Sequence, residues 1–284
     1  MSAIGWRRLS RRRARLRRGL LAVCVVIFTV PLAWTLLASF GVHPDTGASR
    51  ARWTFPPTLA SYGEVGSFEP AFLKEMATSL AVSVTSTALT LSASFLAAYA
   101  LTRSRARRGS SRALAFLILA SLPVMAYVMP LTATMRALHI YDTFAGVSLG
   151  QTAVLAPLAV YVLFGYLRQV SLDFEDAARL DGATPLRVLL SVVLPTHALS
   201  LAATGTILFV LNWNSFLIPM MLTTSHVRTV PIAMSDFFMS DRELEWPTAA
   251  AALIVSLLPL LTVIVAANRL LARFVLGGRA DGAA

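Results

Sequence analysis

The residues best suited to specific chemistry lie in one short stretch. Asp173, Glu175 and Asp176 are followed by Ala177-Ala178-Arg179 and then by Asp181-Gly182-Ala183. Carboxylates gathered at the start of a helix are stabilised by the helix dipole. On a surface they offer ion pairs to a partner protein. A second group is Asn212-Trp213-Asn214. Amides and an indole suit a hydroxyl-rich ligand through hydrogen bonding and stacking. The same amides serve equally well as ties between helices. Ser83, Thr85, Ser86, Thr87 and Thr90 read as packing residues of this second kind. Nothing in the chain resembles a catalytic or metal site. There is no His-Glu-x-x-His, no Gly-x-Ser-x-Gly, no cysteine pair and no Gly-x-x-x-x-Gly-Lys-Ser/Thr phosphate loop. No catalytic residue, metal or cofactor is therefore assigned, and energised work would need an energy source elsewhere.

The acidic stretch predicts two short helices. Ser171 or Asp173 caps the first, with its acids in the opening turn. Gly182 ends it, as a left-handed residue does. Thr184 caps the second, and Pro185 takes the first position, where a missing N–H costs nothing. Leu186, Leu189, Leu190 and Val193 form an apolar stripe, and Pro195 ends or bends the helix. Small residues at the bend permit close approach of another body. That body is either the chain's own bundle or a separate protein.

The elements around this loop are membrane helices. Only 14% of the 284 residues are charged and 56% are hydrophobic, against roughly 25% and 45–50% in soluble domains. Mean hydropathy is +0.68. Such a composition excludes both a water-soluble fold and a disordered chain. Six stretches contain no Asp, Glu, Lys, Arg or His: 20–40, 78–101, 113–135, 150–167, 199–222 and 248–268. About 20 apolar residues cross a bilayer as a helix. The fourth stretch, 18 residues long, is the shortest. The prediction is an all-α integral membrane protein with six transmembrane helices.

Charge sets the orientation. The net charge is +11. The segments 1–19, 102–112, 168–198 and 269–284 hold 19 basic residues, and 41–77, 136–149 and 223–247 hold 6. The two sets have almost equal length, so the asymmetry puts the first set, and both termini, in the cytoplasm. The Arg7–Arg18 run reads as a topology anchor touching anionic lipid. It lacks the interleaved aromatics of a nucleic-acid arm, and the apolar run behind it is too long for a cleaved signal peptide. Cys24, the lone cysteine, precludes an intramolecular disulfide. The outer segment 41–77 contains Trp53, Phe55, Pro56, Pro57 and Tyr62, which predicts a folded cap. Five of the six stretches carry proline, and none holds a charge for an ion relay.

Asp176-Ala-Ala-x-x-Asp181-Gly-Ala183, followed by Leu194-Pro195, resembles the EAA loop of ABC importer permeases, with Asp176 where that family has Glu. Thr78-Ser79-Leu80, Ala97-Ala98-Tyr99-Ala100 with Arg103, Trp213-Asn214-x-Phe216 with Pro219, and Arg273-Phe274-x-x-Gly277 are similar to the carbohydrate branch, of maltose and glycerol-phosphate type. The resemblance runs from about Trp53 to Gly278. It implies a type I importer permease fold with a transmembrane domain over 73–268. The coupling loop would be 168–198, with Glu175, Asp176, Ala177, Ala178, Asp181, Gly182 and Ala183 docking on a cytoplasmic ATPase dimer. Asn212, Trp213 and Asn214 become candidates for the substrate pathway. The implied partners are a second homologous permease, the ATPase and an extracytoplasmic solute-binding protein, in the cell membrane. The rivals are a permease for another solute class and a self-contained transporter or channel.

Overall fold

The computed structural model describes residues 3–42, 44–45, 52–53, 57–67, 70–103, 109–169, 171–239 and 246–280. Phe55 and Pro56 of the outer segment, and Arg105, Arg107 and Arg108 of the 102–112 hairpin, lie outside the described residues. In chain order the helices are α1 (Ala3–Ser39), α2 (Ala60–Ser67), α3 (Pro70–Arg103), α4 (Gly109–Ala120), α5 (Val128–Ala137), α6 (Phe144–Leu167) and α7 (Asp173–Leu180). They continue as α8 (Pro185–Val188), α9 (Leu194–Thr196), α10 (Ala198–Trp213), α11 (Leu217–Leu222), α12 (Val230–Met239) and α13 (Trp246–Ala280). Between α1 and α2, Pro44–Asp45 (β1) pairs antiparallel with Arg52–Trp53 (β2).

Cα packing divides the chain into two units, 1–70 with 237–255 and 71–236 with 256–284. In the first unit, α1 is apolar over Arg17–Ser39, with residues 17–37 exposed or half-buried and Ala38 and Ser39 buried at its end. Its end is a Schellman cap. Gly41 takes φ +78°, its N–H reaches Ala38 O at 2.8 Å, and Val42 N–H reaches Leu37 O at 3.1 Å. The outer segment is folded onto this end. The Ser39 and Tyr62 hydroxyls are 2.7 Å apart, and the Phe40 and Tyr62 rings lie 5.6 Å apart. Thr248 donates to Glu64 at 2.7 Å, fixing α2 to the first turn of α13.

In the second unit, α6 is the spine, packed against α4, α5, α10 and α11. Thr143 caps it by accepting from the Gly146 N–H at 3.0 Å. That start extends the short fourth apolar stretch to a full 24-residue helix. One apolar core gathers Phe95, Val160, Leu163, Leu167, Val188 and Val193. Another gathers Val82, Val128, Met135, Val147, Ile218 and Leu222. Gly150 lets α11 come close, since a Cβ there would lie 2.3 Å from Leu222 Cδ1.

Among the described residues, four helical stretches are long and apolar enough to cross a membrane, 17–39, 72–103, 144–167 and 246–269, and the bent pair 185–196 with 198–213 would make a fifth. Two predicted spans differ from single rods. The 113–135 stretch breaks after Ala120. Pro123 lies extended there and opens a single 3₁₀ turn before α5 begins, because proline disfavours helix in the residue before it and brings no N–H. The 199–222 stretch breaks at Asn214–Phe216, between α10 and α11. By contrast, Pro31, Pro157 and Pro259 stay inside continuous helices.

Candidate functional site: the loop between α6 and α10

The loop folds as its local signals dictate. α7 carries Asp173, Glu175 and Asp176 in its first turn. Ser171 Oγ accepts from the Asp173 N–H at 3.2 Å and donates to the Asp173 carboxylate at 2.6 Å. Gly182 turns the chain at φ +80°. Thr184 accepts from the Arg187 N–H at 3.4 Å, and Pro185 opens α8.

The predicted apolar stripe holds in part: Val193 is buried and Leu189 packs against the same core, with Val188 added to that face. Leu186 and Leu190 are exposed, whereas Val188 and Val193 are fully buried. The cause is a π-helical turn over Leu189–Val193. Five residues per hydrogen-bonded turn put positions 188 and 193 on one face, where an α-helix would use spacings of three and four. The segment Pro185–Thr196 then meets α10 at 75°. His197 sits buried in that elbow, its Nδ1 2.9 Å from Val193 O.

The seven residues expected to dock on an ATPase do not share one environment. Glu175 is 3% exposed. Its Oε1 accepts from Arg103 Nε at 2.9 Å and also from Arg103 Nη2. Its Oε2 accepts from the Tyr99 hydroxyl at 3.1 Å and from Arg179 Nη2 at 3.1 Å. Ala178 and Ala183 pack against the core that contains Val188 and Val193. Asp176, Ala177, Asp181 and Gly182 face outward. Asp176 pairs with Arg179 at 2.6 Å, with its side chain 62% exposed. The hydrogen bond that Arg179 donates to Asp176, joined by the Glu175 charge, holds the guanidinium above its ordinary range.

Sequence reasoning missed the apolar members of the outward surface. Phe174 and Leu180 project from α7, Leu180 at 89% exposure. With Ala177 they lie at spacings of three along one helical face. The signal was present: an apolar residue every third position of an otherwise acidic helix.

The second group is mostly internal. Asn212 is 2% exposed and donates to Thr87 Oγ1 at 3.1 Å. Trp213 is buried and stacks on Phe209 with centroids 6.0 Å apart. Asn214 is exposed, and its Nδ2 caps Val210 O at 2.8 Å.

A third constellation joins the loop before α6 to the loop after α11. Asp142 Oδ1 accepts from Thr223 Oγ1 at 2.5 Å and from the N–H groups of Thr224 and His226 at 3.0 and 3.2 Å. Its Oδ2 accepts from Thr224 Oγ1 at 2.6 Å and lies 2.8 Å from His226 Nδ1. Burial pushes the Asp142 carboxyl up. The hydrogen bonds from Thr223, Thr224 and His226 outweigh it and hold the group far below the usual carboxylate range. Next to it, Arg228 reaches Glu75 at 2.7 Å and also pairs with Asp236.

Several long apolar helices, with an exposed helical loop between α6 and α10, are the features of a multi-pass membrane protein. Residues 90–277 match the binding-protein-dependent transport system inner membrane component family, and the chain belongs to it. The chain is 30% identical over 238 residues to a sulfoquinovosyl glycerol transport system permease protein of Agrobacterium fabrum, covering 83% of this chain and 82% of that one. It is 29% identical over 277 residues to the trehalose/maltose transport system permease protein of Thermococcus litoralis, covering 94% and 97%. The fold is similar to that of a chain in the crystal structure of a bacterial ABC transporter involved in the import of alginate. The TM-score is 0.77 at 19% identity, over 92% of this chain and 97% of that one. The chain is thus an ABC-type permease component, a transport subunit rather than an enzyme.

Proposed function

We propose that this chain is the permease subunit of an ATP-driven sugar importer in the cell membrane. It crosses the bilayer six times with both termini cytoplasmic. The third crossing is α4 with α5, and the fifth is α10 with α11. It supplies half of the translocation pathway beside a second, homologous permease. A cytoplasmic ATPase dimer drives it, and an extracytoplasmic solute-binding protein feeds it over the outer segments 41–77 and 223–247. The sugar assignment is supported by the names of the two permease relatives described above, one for sulfoquinovosyl glycerol and one for trehalose/maltose. Asn214 meets solute, and Asn212 and Trp213 hold it in place from within the bundle.

The observation that carries the coupling role is the outward face of the loop. Phe174, Ala177 and Leu180 stand exposed beside Asp176, Asp181 and Gly182, while Val188 and Val193 root the same loop in the core. An exposed apolar patch with a charged border on a rooted lever fits a protein partner. ATP-driven movement of the partner shifts the bundle between outward-open and inward-open states through this lever. Gentle solubilisation of the tagged chain with its native partners tests the reading. Recovery of an ATPase that is lost in Leu180→Glu and Asp181→Lys, with the permease still folded, supports it. Recovery of the wild-type chain alone, under conditions that keep other membrane complexes intact, refutes it.

A further inference from the structure

We infer that Arg103, Tyr99 and Glu175 form a mechanical latch that makes α7 and the inner end of α3 one rigid body. The inference rests on the reading of the loop as the ATPase-docking element, and it assigns Arg103 and Tyr99 a positioning role in force transfer.

The geometry separates two adjacent acids. Asp176 faces outward and pairs only with Arg179, its neighbour on the same helix. Such an exposed pair is weak and free to exchange partners. Glu175 is buried, and two of its three partners come from α3, 72 and 76 positions earlier in the chain. The Arg103 guanidinium also lies 5.4 Å from the Tyr99 ring centroid, which fixes its plane against the same helix. Arg103 itself is largely buried, with its side chain 15% exposed.

This difference has a mechanical meaning. A carboxylate withdrawn from water must keep its partners, because breaking a buried pair leaves an uncompensated charge. Sliding α7 away from α3 would strand Glu175 in this way. Two forked donors on one carboxylate oxygen add directional stiffness that a single point charge lacks. The other half of the loop is held differently, by Val188 and Val193 in an apolar core to which α3 (Phe95, Ala98), α4 and α6 all contribute. Apolar contact is non-directional and tolerates sliding. The loop therefore has one directional attachment, the polar one that Glu175 makes to α3 alone, and one non-directional attachment, to the apolar core shared by α3, α4 and α6. Motion imposed on α7 by a docked partner is delivered first to α3. That helix also carries the buried hydroxyls of Ser86 and Thr90 and the Thr87 partner of Asn212.

The test uses the complete importer complex in nanodiscs. Cys24→Ser removes the lone cysteine. Nitroxide labels are then placed at exposed Leu96 of α3 and at exposed Leu172, immediately before α7. The interlabel distance is read without nucleotide and after trapping with ATP and vanadate. With the latch intact, the distance is the same in both states. In Glu175→Gln the distribution should broaden, and its mean should shift on trapping. Arg103→Lys should keep part of the constraint, and Arg103→Met should lose it. If Glu175→Gln does not fold, Tyr99→Phe combined with Arg103→Lys tests the same point. A merely stabilising role would lower the yield of every variant and leave the distance unchanged. An unchanged distance in Glu175→Gln, with the ATPase still bound, overturns the latch. Failure of the wild-type chain to retain an ATPase is seen at purification, before any label is added, and overturns the functional reading itself.

Discussion

Replacing Asp142 by asparagine should loosen the outer end of the second unit. The carboxylate accepts five short contacts from Thr223, Thr224 and His226, two of them on Oδ2. Asparagine can keep the Oδ1 contacts with its own carbonyl oxygen. Its amide nitrogen cannot accept from Thr224 Oγ1 or His226 Nδ1. Hydrogen bonds to a charged group contribute about 1.5–3 kcal/mol each, and neutral ones about 0.5–1.5. Thr224 and His226 are exposed, so water takes back part of what is lost. The net cost comes to about 2–4 kcal/mol. In a unit of this size each kcal/mol moves Tm by roughly 2–4 °C, so thermal unfolding in detergent should fall by roughly 5–15 °C. Backbone strain adds little, because asparagine tolerates the left-handed φ of +56° that Asp142 adopts. Alanine would add a backbone penalty of about 1–2 kcal/mol. The pH dependence has a definite sign. The folded carboxyl titrates below its unfolded value, so its contribution is complete above about pH 4 and declines as pH falls further. Asp142→Asn should flatten that acid limb. A Tm within about 1 °C of wild type, with an unchanged acid limb, would refute the clasp.

Two further outcomes follow from the packing. Gly146→Ala should prevent stable folding, since its Cβ would stand 1.9 Å from the Ile140 carbonyl oxygen. Gly165→Ala in the same helix meets nothing within 4 Å and should be neutral or gain about 0.5–1 kcal/mol, as read from paired melting curves. Val193→Ala should cost about 2 kcal/mol, from two lost methyl groups and the void they leave. Leu186→Ala, exposed two turns earlier, should leave the melt unchanged and weaken only partner retention.

Much of the loop was legible because its signals are local. Thr184, Pro185 and Gly182 each fix a cap or a turn within a few residues, and the structure holds them in those roles. What was not legible depends on contacts distant in sequence. Glu175 and Asp176 are neighbours of the same charge. Only the position of Arg103, 72 residues away, turns one inward and leaves the other out. The Asp142 clasp spans 81 residues and carries no motif. The apolar stripe was legible only in part, because a helical period was assumed where a π turn intervenes. The break at Pro123 was the opposite case. Its signal was visible, but proline inside apolar stretches is kept in continuous helix at Pro31, Pro157 and Pro259. The residue type alone does not decide between kink and break.

The unburied face of α1 bears on how this chain tolerates sequence change. No residue of α1 from Leu20 to Leu37 is buried within the chain, whereas half of the apolar window in α6 is. A side chain that answers only to hydrocarbon is constrained by its transfer free energy and not by its shape. Leucine, valine, isoleucine and phenylalanine should therefore interchange freely along Leu20–Leu32. In α6 the same exchanges would meet fixed neighbours. Melting curves of such exchanges should therefore separate α1, where they are neutral, from α6, where they are costly.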